Sequence, residues 1–113
     1  MATTYRTLGQ IASTGTIGTY DTLYTVNSPV TGTIVSNIVV CNLTASAQYV
    51  RLACSNVTSP ARKDFIAYGV TVPANDTIPL VIGVTLDSTV KYLLCSSTSA
   101  SVSFSAFGAE ITS

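Results

Sequence analysis

Residues 32–43 carry the most informative hydrophobic pattern in the chain, a run rich in β-branched side chains. Its ends alternate between apolar and polar residues, whereas residues 38–41, Ile-Val-Val-Cys, are apolar on both faces. A strand with one face in water alternates throughout, so this interruption is typical of a central strand that is covered on both sides. In an all-β chain the second cover is another layer of the same protein or a neighbouring subunit. The pattern therefore predicts a protein that packs against other protein.

Alternating segments recur along the rest of the chain, separated by turn residues, at a spacing of roughly 10–12 residues. They cover residues 4–11, 20–26, 48–54, 65–72, 77–86, 89–96 and 101–111. No segment has apolar residues at the i, i+3, i+4, i+7 spacing of a helix. About eight strands joined by loops of mixed length predict an all-β fold, a two-sheet, jelly-roll-like β-sandwich without significant helix.

Two positions predict irregularities within these strands. Pro79 lacks the backbone donor of a sheet ladder, so the strand over residues 77–86 should lie at an edge or contain a bulge. In the last strand the alternation slips near Phe107 and Gly108, which predicts a glycine bulge.

The length of 113 residues is that of a single domain with one modest core. We expect this domain to span residues 1–113. Residues 4–11 alternate only loosely, and a loop rich in Gly, Ser and Thr follows them. The N-terminal segment, residues 1–19, is therefore interpreted as either a strand or an arm.

The charge content excludes several classes of partner. Charged residues make up 9% of the chain, and five basic residues balance five acidic ones. Nucleic-acid binding requires a cluster of Lys and Arg, which this sequence lacks. No apolar run approaches the roughly 20 residues of a membrane span. Because the N-terminus has no signal-peptide pattern, we expect the chain to stay in the cytoplasm where it is made, or in a particle assembled there.

The side chains that most enzymes and metal sites depend on are scarce. The sequence contains no His, which is the usual base of a hydrolytic triad and a common zinc ligand. The five carboxylates are isolated in sequence, and Asp76 and Asp87 are typical of turns. We therefore expect no enzymatic activity, no metal and no cofactor. The three cysteines, Cys41, Cys54 and Cys95, are odd in number and lie in apolar runs, which predicts buried free thiols.

Five segments resemble one group of phage proteins. They read YRTLGQ (5–10), LYTV (23–26), VSNIVVCN (35–42), YGVTVPANDT (68–77) and SFSAFGAEIT (103–112). Together they resemble small β proteins encoded by tailed bacteriophages, especially those of cyanobacteria. The sequence departs from the pattern over residues 27–31, where a Pro-Ala turn is commoner.

The resemblance implies a virion structural protein, with a capsid decoration or cement role preferred. The implied partners are the major capsid protein or another virion protein, and further copies of the chain, with a trimer favoured. The implied location is the virion, assembled in the host cytoplasm. Two alternatives remain, a protein associated with the neck, tail or fibres, and a carbohydrate-binding module that contacts the host.

Interface residues are predicted from side-chain type and position. Tyr is suited to interfaces because it has an apolar body and a polar tip. Alternation over residues 48–54 places Arg51 on a face that meets water or a partner. The charged stretch that contains Arg62 and Lys63 is expected to reach an acidic capsid surface. The full set of predicted interface residues is Tyr5, Arg6, Tyr49, Arg51, Arg62, Lys63, Tyr68 and Tyr92.

Overall fold

The computed structural model describes residues 2–80 and 83–112, which form nine strands and one short 3₁₀ turn. The strands are β1 (Ala2–Ala12), β2 (Asp21–Thr25), β3 (Val30–Asn42), β4 (Gln48–Ser55), β5 (Phe65–Val72), β6 (Thr77–Leu80), β7 (Val84–Asp87), β8 (Tyr92–Ser97) and β9 (Val102–Thr112). The 3₁₀ turn, Arg62–Asp64, precedes β5.

The strands form two antiparallel sheets. In sheet A the order is β1-β9-β3, and β6 and β7 both pair with the far edge of β3, one after the other along its length. In sheet B the order is β2-β8-β4-β5. The chain changes sheet at almost every connection, and its last strand pairs with its first. This is the topology of a jelly roll, so the predicted all-β sandwich is confirmed.

The organising strand of the sequence, β3, is central in sheet A. It pairs with β9 on one side and with β6 and β7 on the other. Ile38 and Val40 point into the sandwich and are fully buried, whereas Val39 and Cys41 point outward and are only partly covered. The chain itself thus covers one of the two apolar faces of β3 completely and the other only in part.

The strand predicted over residues 77–86 is interrupted. It consists of β6 and β7, and residues 81–82 lie outside the described residues. This division accounts for nine strands where about eight were predicted. Pro79, in β6, pairs with Val39 at the edge of sheet A, where its missing donor removes no bond to a further strand.

The glycine bulge predicted in β9 is wrong in its position. The extra residues are Leu8 in β1 and Ser36 in β3, the two strands on either side of Phe107 and Gly108. A Cβ at Gly108 would lie 2.0 Å from the carbonyl oxygen of Ile34, so glycine is needed there for close approach of the strands. The alternation of apolar and polar residues breaks at Gly108 because this inward-facing position of β9 has no side chain.

Within the N-terminal segment, residues Ala2–Ala12 form a strand in this structure. Residues Ala2–Ala12 pair with β9 along their length, and the second edge of this strand is free within the described sheet. Of the two interpretations for this segment, the structure shows the strand.

The core lies between the sheets and is built from alternate residues of both. Its largest fully buried apolar side chains are Phe104, Ile38, Leu52, Leu86, Leu93 and Leu94. All of these except Leu94 belong to the inter-sheet cluster. Burying each such side chain contributes about 1.5–3 kcal/mol relative to leaving it exposed.

A polar network crosses the sandwich at one end. Tyr24, on sheet B, donates a hydrogen bond to the Glu110 carboxylate on sheet A and shares one of 2.9 Å with Thr33. Arg6 lies 3.1 Å from the other oxygen of Glu110. Burial, followed by the hydrogen bond to Glu110, raises the pKa of Tyr24 to about 12. The network therefore links the two sheets while Tyr24 stays neutral.

Asn42 joins three segments at the opposite end of β3. It is 1% exposed, and its amide nitrogen donates to the carbonyl oxygens of Ser46, Val72 and Pro73 at 2.9–3.1 Å. Its amide oxygen accepts from the backbone and hydroxyl of Thr44. One buried side chain thus fixes the β3–β4 connection against the end of β5.

Asn42→Ala should destabilise the fold by about 2–4 kcal/mol, because it leaves buried carbonyl groups without donors. Urea unfolding measures this change. Asn56→Ala is the matched control on an exposed loop, and it should change the free energy of unfolding by no more than about 0.5 kcal/mol. Equal effects of the two substitutions would contradict the assigned role of Asn42.

The cysteines are free, but the prediction that all three are buried is correct only for Cys95. Cys41 and Cys54 are partly exposed. Cys41 lies on the outer side of sheet A, where its pairing partners Ser103 and Thr77 are small. Burial raises the pKa of Cys95, and burial together with the charge of Asp64 raises that of Cys54.

A thiol reagent at neutral pH should label Cys41 first, Cys54 more slowly and Cys95 only on unfolding, because the thiolate is the reactive form. Cys41→Ser should remove the fast phase. Rapid labelling of all three thiols in the folded protein, or a disulfide-linked dimer, would show that this account of their environments is wrong.

Candidate functional site

The outward side of sheet A is a nearly charge-free surface. Antiparallel partners share a face, and one row across the sheet contains Tyr5, Ala109, Ile34 and Thr85. In this row Tyr5 is 84% and Ile34 is 47% exposed. The next three rows contain no charged side chain: Thr7, Phe107 and Asn37; Gln10, Ser105, Val39 and Pro79; and Ala12, Ser103, Cys41 and Thr77. We call these four rows the sheet A face.

A shallow depression of about 200 Å³ lies at one end of this face, around its first row. It is lined by Tyr5, Ile34 and Ala109, together with Thr3, Ser36 and Gly108. The depression is open and mainly apolar, which suits an inserted apolar side chain better than a polar ligand.

The outward side of sheet B carries an aromatic cluster around one cation. The guanidinium carbon of Arg51 lies 4.0 Å from the centroid of the Tyr68 ring. The Nη1 atom of Arg51 donates a 3.1 Å hydrogen bond to the hydroxyl of Tyr20. Phe65 connects the two tyrosines, with ring centroids 5.7 Å from Tyr20 and 4.9 Å from Tyr68. These four residues are called the Arg51 cluster.

A bulge at Gly69 places Tyr68 in this cluster. Val50 pairs with Val70, and the next residue, Arg51, pairs with Tyr68, so Gly69 is the extra residue. In a regular ladder Arg51 would pair with Gly69, and Tyr68 would then lie across from Leu52 and point into the core, because side chains alternate between faces. Gly69 has φ +77°, a backbone conformation that L side chains rarely adopt.

The cluster covers part of sheet B. Ala53 and Leu94 share its face and are fully buried, although neither belongs to the core between the sheets. Phe65 pairs directly with Ala53. The aromatic rings therefore form a small second layer over sheet B, and this layer fixes the position of Arg51.

Arg51 is incompletely satisfied in the described part of the chain. Its Nε atom is buried and makes no hydrogen bond, and no carboxylate of the described residues lies within 4.0 Å of its guanidinium. Ser96, its partner across β4 and β8, has a buried hydroxyl that also lacks a partner. A buried polar group without a partner costs about 1–3 kcal/mol, and native proteins retain few of them.

The predicted interface residues do not form one site. Arg51 and Tyr68 are in contact, and Tyr49, 51% exposed, lies on the same face of β4. Tyr5 lies on the sheet A face, whereas Arg6 pairs with Glu110 at the edge. The remaining three lie elsewhere, Arg62 and Lys63 in the 3₁₀ turn and Tyr92 at the start of β8.

The 3₁₀ turn is only partly available for binding an acidic surface. Lys63 lies 3.1 Å from Asp64, whose side chain is 8% exposed. The backbone hydrogen bond from Ala61, together with hydrogen bonds from Lys63 and Ser55, holds the pKa of Asp64 below its ordinary value. Lys63 is therefore neutralised locally, and Arg62 is the more available of the two cations.

Sequence reasoning missed Tyr20, Phe65 and Ser96. Tyr20 precedes β2 in a loop, Phe65 reaches the cluster through a register shift between β4 and β5, and Ser96 reaches it through pairing of β4 with the sequence-distant β8. The alternation of Tyr49, Arg51 and Ala53 did identify the correct face of β4. No local pattern reveals which aromatic residues cross over that face.

Metal-ligating side chains are dispersed in the part of the chain that the structure describes. Within residues 2–80 and 83–112, His, Cys, Asp and Glu side chains nowhere form groups of three or more that could hold a metal ion. A cleft of about 520 Å³ borders the turn at residues 26–31 and includes Lys91. None of the described residues forms a helix long and apolar enough to cross a membrane.

Comparison with known proteins extends to the fold alone. No protein-family model and no curated protein matches this chain. A chain of the T13 particle of infectious bursal disease virus (IBDV) has a TM-score of 0.53 at 12% identity, over 98% of this chain and 31% of its own length. The chain thus spans about a third of the length of that viral protein.

Two further structures match over most of both chains. A protein of Bacillus endospore appendages, which form disulfide-linked pili, has a TM-score of 0.54 at 10% identity over 98% of this chain and 87% of its own. A chain of the virus-like particle of Macrobrachium rosenbergii extra small virus has a TM-score of 0.52 at 10% identity over 100% and 82%. These similarities establish a shared sandwich fold.

Gly69→Ala should destabilise the fold by about 1–2 kcal/mol, because φ +77° is strained for alanine, although an added Cβ would meet no atom. Gly18→Ala is the matched control, since its Cβ would also meet no atom and its φ is not positive. It should change the free energy of unfolding by less than about 0.5 kcal/mol. Similar losses for both variants in urea unfolding would refute the importance of the bulge.

Proposed function

We propose that this chain is a structural protein of a virion, and that it decorates or cements the capsid of a tailed bacteriophage. The sheet A face is the observation that carries the proposal. Its four rows contain no charged side chain, mix apolar residues with uncharged hydroxyl and amide side chains, and are only partly covered by the chain, so a protein surface is the cover that best suits the face.

The size of this face agrees with a protein contact. Four strand positions about 4.8 Å apart and about eight residues long, at 3.3 Å each, give a flat area of roughly 500 Å². A standard interface buries about 800 Å² on each partner. The face is thus large enough for most of one specific contact, with Tyr5 and Ile34 as its exposed apolar anchors.

The fold supports this role without proving it. Jelly rolls occur in viral capsids and also in lectins, so topology alone does not decide function. Chains of two virus particles share this fold over nearly the whole chain, and so does a pilus protein. All three assemble into larger particles or fibres, as cementing requires. The resemblance of segments such as residues 35–42 and 103–112 to phage proteins favours the phage virion.

The proposed partners are further copies of the chain and the major capsid protein. An uncharged face packs against a copy of itself, or against another apolar surface, without charge repulsion. A trimer is favoured by analogy, because decoration proteins often sit where three capsid subunits meet. Arg62, the more available cation of the 3₁₀ turn, is proposed to contact an acidic capsid surface. Cementing needs no catalytic group, metal or cofactor.

Ile34→Glu should abolish oligomers of the purified chain, and its incorporation into virions, because it replaces an exposed apolar anchor of the sheet A face by a charge. Sedimentation measures the first effect, and quantitative mass spectrometry of virions measures the second. Val57→Glu is the matched control, since Val57 is 50% exposed on a loop and Ile34 is 47% exposed on the face. It should leave both unchanged.

Three results would overturn parts of the proposal. Equal behaviour of the two variants would remove the sheet A face as the contact. Density for the chain on the tail, at a handful or dozens of copies instead of hundreds on the head, would favour the neck, tail or fibre alternative. Absence from the virion, together with binding to host glycans, would favour the carbohydrate-binding module.

A further inference from the structure

We infer that the Arg51 cluster is a carboxylate-binding site, which accepts an acidic side chain from a neighbouring protein subunit. This contact lies on the opposite sheet from the sheet A face. The identity of the neighbour rests on the proposed function, whereas the chemistry of the site does not.

The first observation is a positioned cation that lacks an anion. Arg51 is held on one side by the ring of Tyr68, at 4.0 Å, and at Nη1 by the hydroxyl of Tyr20. Neither group neutralises the charge. The described residues form two ion pairs, Arg6 with Glu110 and Lys63 with Asp64. Arg51 belongs to neither pair. Because Nε is buried and Nη1 already donates to Tyr20, the remaining terminal N–H donors of the guanidinium are the ones that a carboxylate from outside the chain would bind.

The second observation is independent of the charge. The hydroxyl of Ser96 is fully buried beside Arg51 and has no hydrogen-bond partner among the described residues. The Nε atom of Arg51 is in the same condition. Arg51 and Ser96 are direct partners across β4 and β8, and each has a polar atom without a hydrogen bond. We take this pair of unsatisfied groups to indicate that the site is incomplete without a further polar group.

The shape of the surface favours a protein partner over a small ligand. Tyr49 and Tyr68, 51% and 63% exposed, lie on the same open face as Arg51. Tyr and Arg are the residues most enriched at the energetic centres of protein interfaces. The 520 Å³ cleft and the depression on sheet A are both lined by other residues. A single unpaired cation suits one carboxylate, whereas a nucleic-acid backbone requires several cations.

The direct test is an NMR titration of the purified chain, observing the Nε–Hε signal of Arg51. Sodium acetate and N-acetylglutamate amide are the probes, and sodium chloride at equal ionic strength and sodium phosphate are the comparisons. Both carboxylates should shift the signal saturably, with a dissociation constant on the order of tens of millimolar. A response to chloride of the same size, or none to either carboxylate, would overturn the inference.

Substitutions distinguish the contribution of the planar guanidinium group of Arg51 from that of its positive charge. Arg51→Lys, which keeps the charge, should weaken carboxylate binding about tenfold, as followed by the backbone amide of Ser96. Tyr20→Phe removes only the hydroxyl that positions Nη1, and should weaken binding less. Lys91→Met is the control, because it removes a cation from another part of the surface, and it should have no effect. Equal binding by the Arg51→Lys variant and the unmodified chain would refute a site built on the guanidinium.

A second arm separates the sources of the carboxylate. In virions, Arg51→Glu should lower the number of incorporated copies at least about tenfold, while Lys91→Glu leaves it unchanged. Acetate binding without any effect of Arg51→Glu on incorporation would refute the docked acidic side chain. Phosphate binding tighter than acetate would replace the carboxylate with a phosphate ligand. If the unmodified chain is absent from virions, the proposed function fails while the titration still tests the site.

Discussion

Each strand of the sandwich is held to its neighbour by an antiparallel ladder, and one extra residue in a ladder moves the following side chains to the opposite face. Several such residues shape the outer faces of the described sheets. Leu8 and Ser36 flank β9 in sheet A, and Gly69 and Ile66 shift β5 against β4 in sheet B. The shift at Gly69 turns Tyr68 outward onto Arg51. The outer surfaces depend on register as much as on composition.

Register also explains why the two outer faces differ. On sheet A the four outward rows are uncharged, and the charged network of Arg6 and Glu110 lies at the edge of the sandwich. On sheet B an aromatic layer covers two core-like residues and holds one cation. An apolar face supplies affinity through buried area, whereas a fixed charge supplies orientation and selectivity. A small subunit that contacts two different surfaces benefits from both.

The sequence was sufficient for the fold class, because alternation directly reports which strand face is buried. The central place of β3 followed from its doubly apolar centre. The edge position of Pro79 is one of the two outcomes expected from its missing backbone donor, the other being a bulge. The bulge near Gly108 was misplaced, since a missing side chain and an extra residue disturb alternation in the same way. The Arg51 cluster was only half predictable. Alternation oriented Arg51, but Tyr20 reaches it from a loop and Phe65 through a register shift in β5, and no local pattern encodes either.

The central claim is that this chain functions by packing both outer faces against other protein. A cryo-EM map of the particle that contains it, at side-chain resolution, tests this claim most directly. The account predicts protein density against Ile34 on sheet A and a carboxylate against Arg51 on sheet B. A map in which both residues face solvent would contradict it.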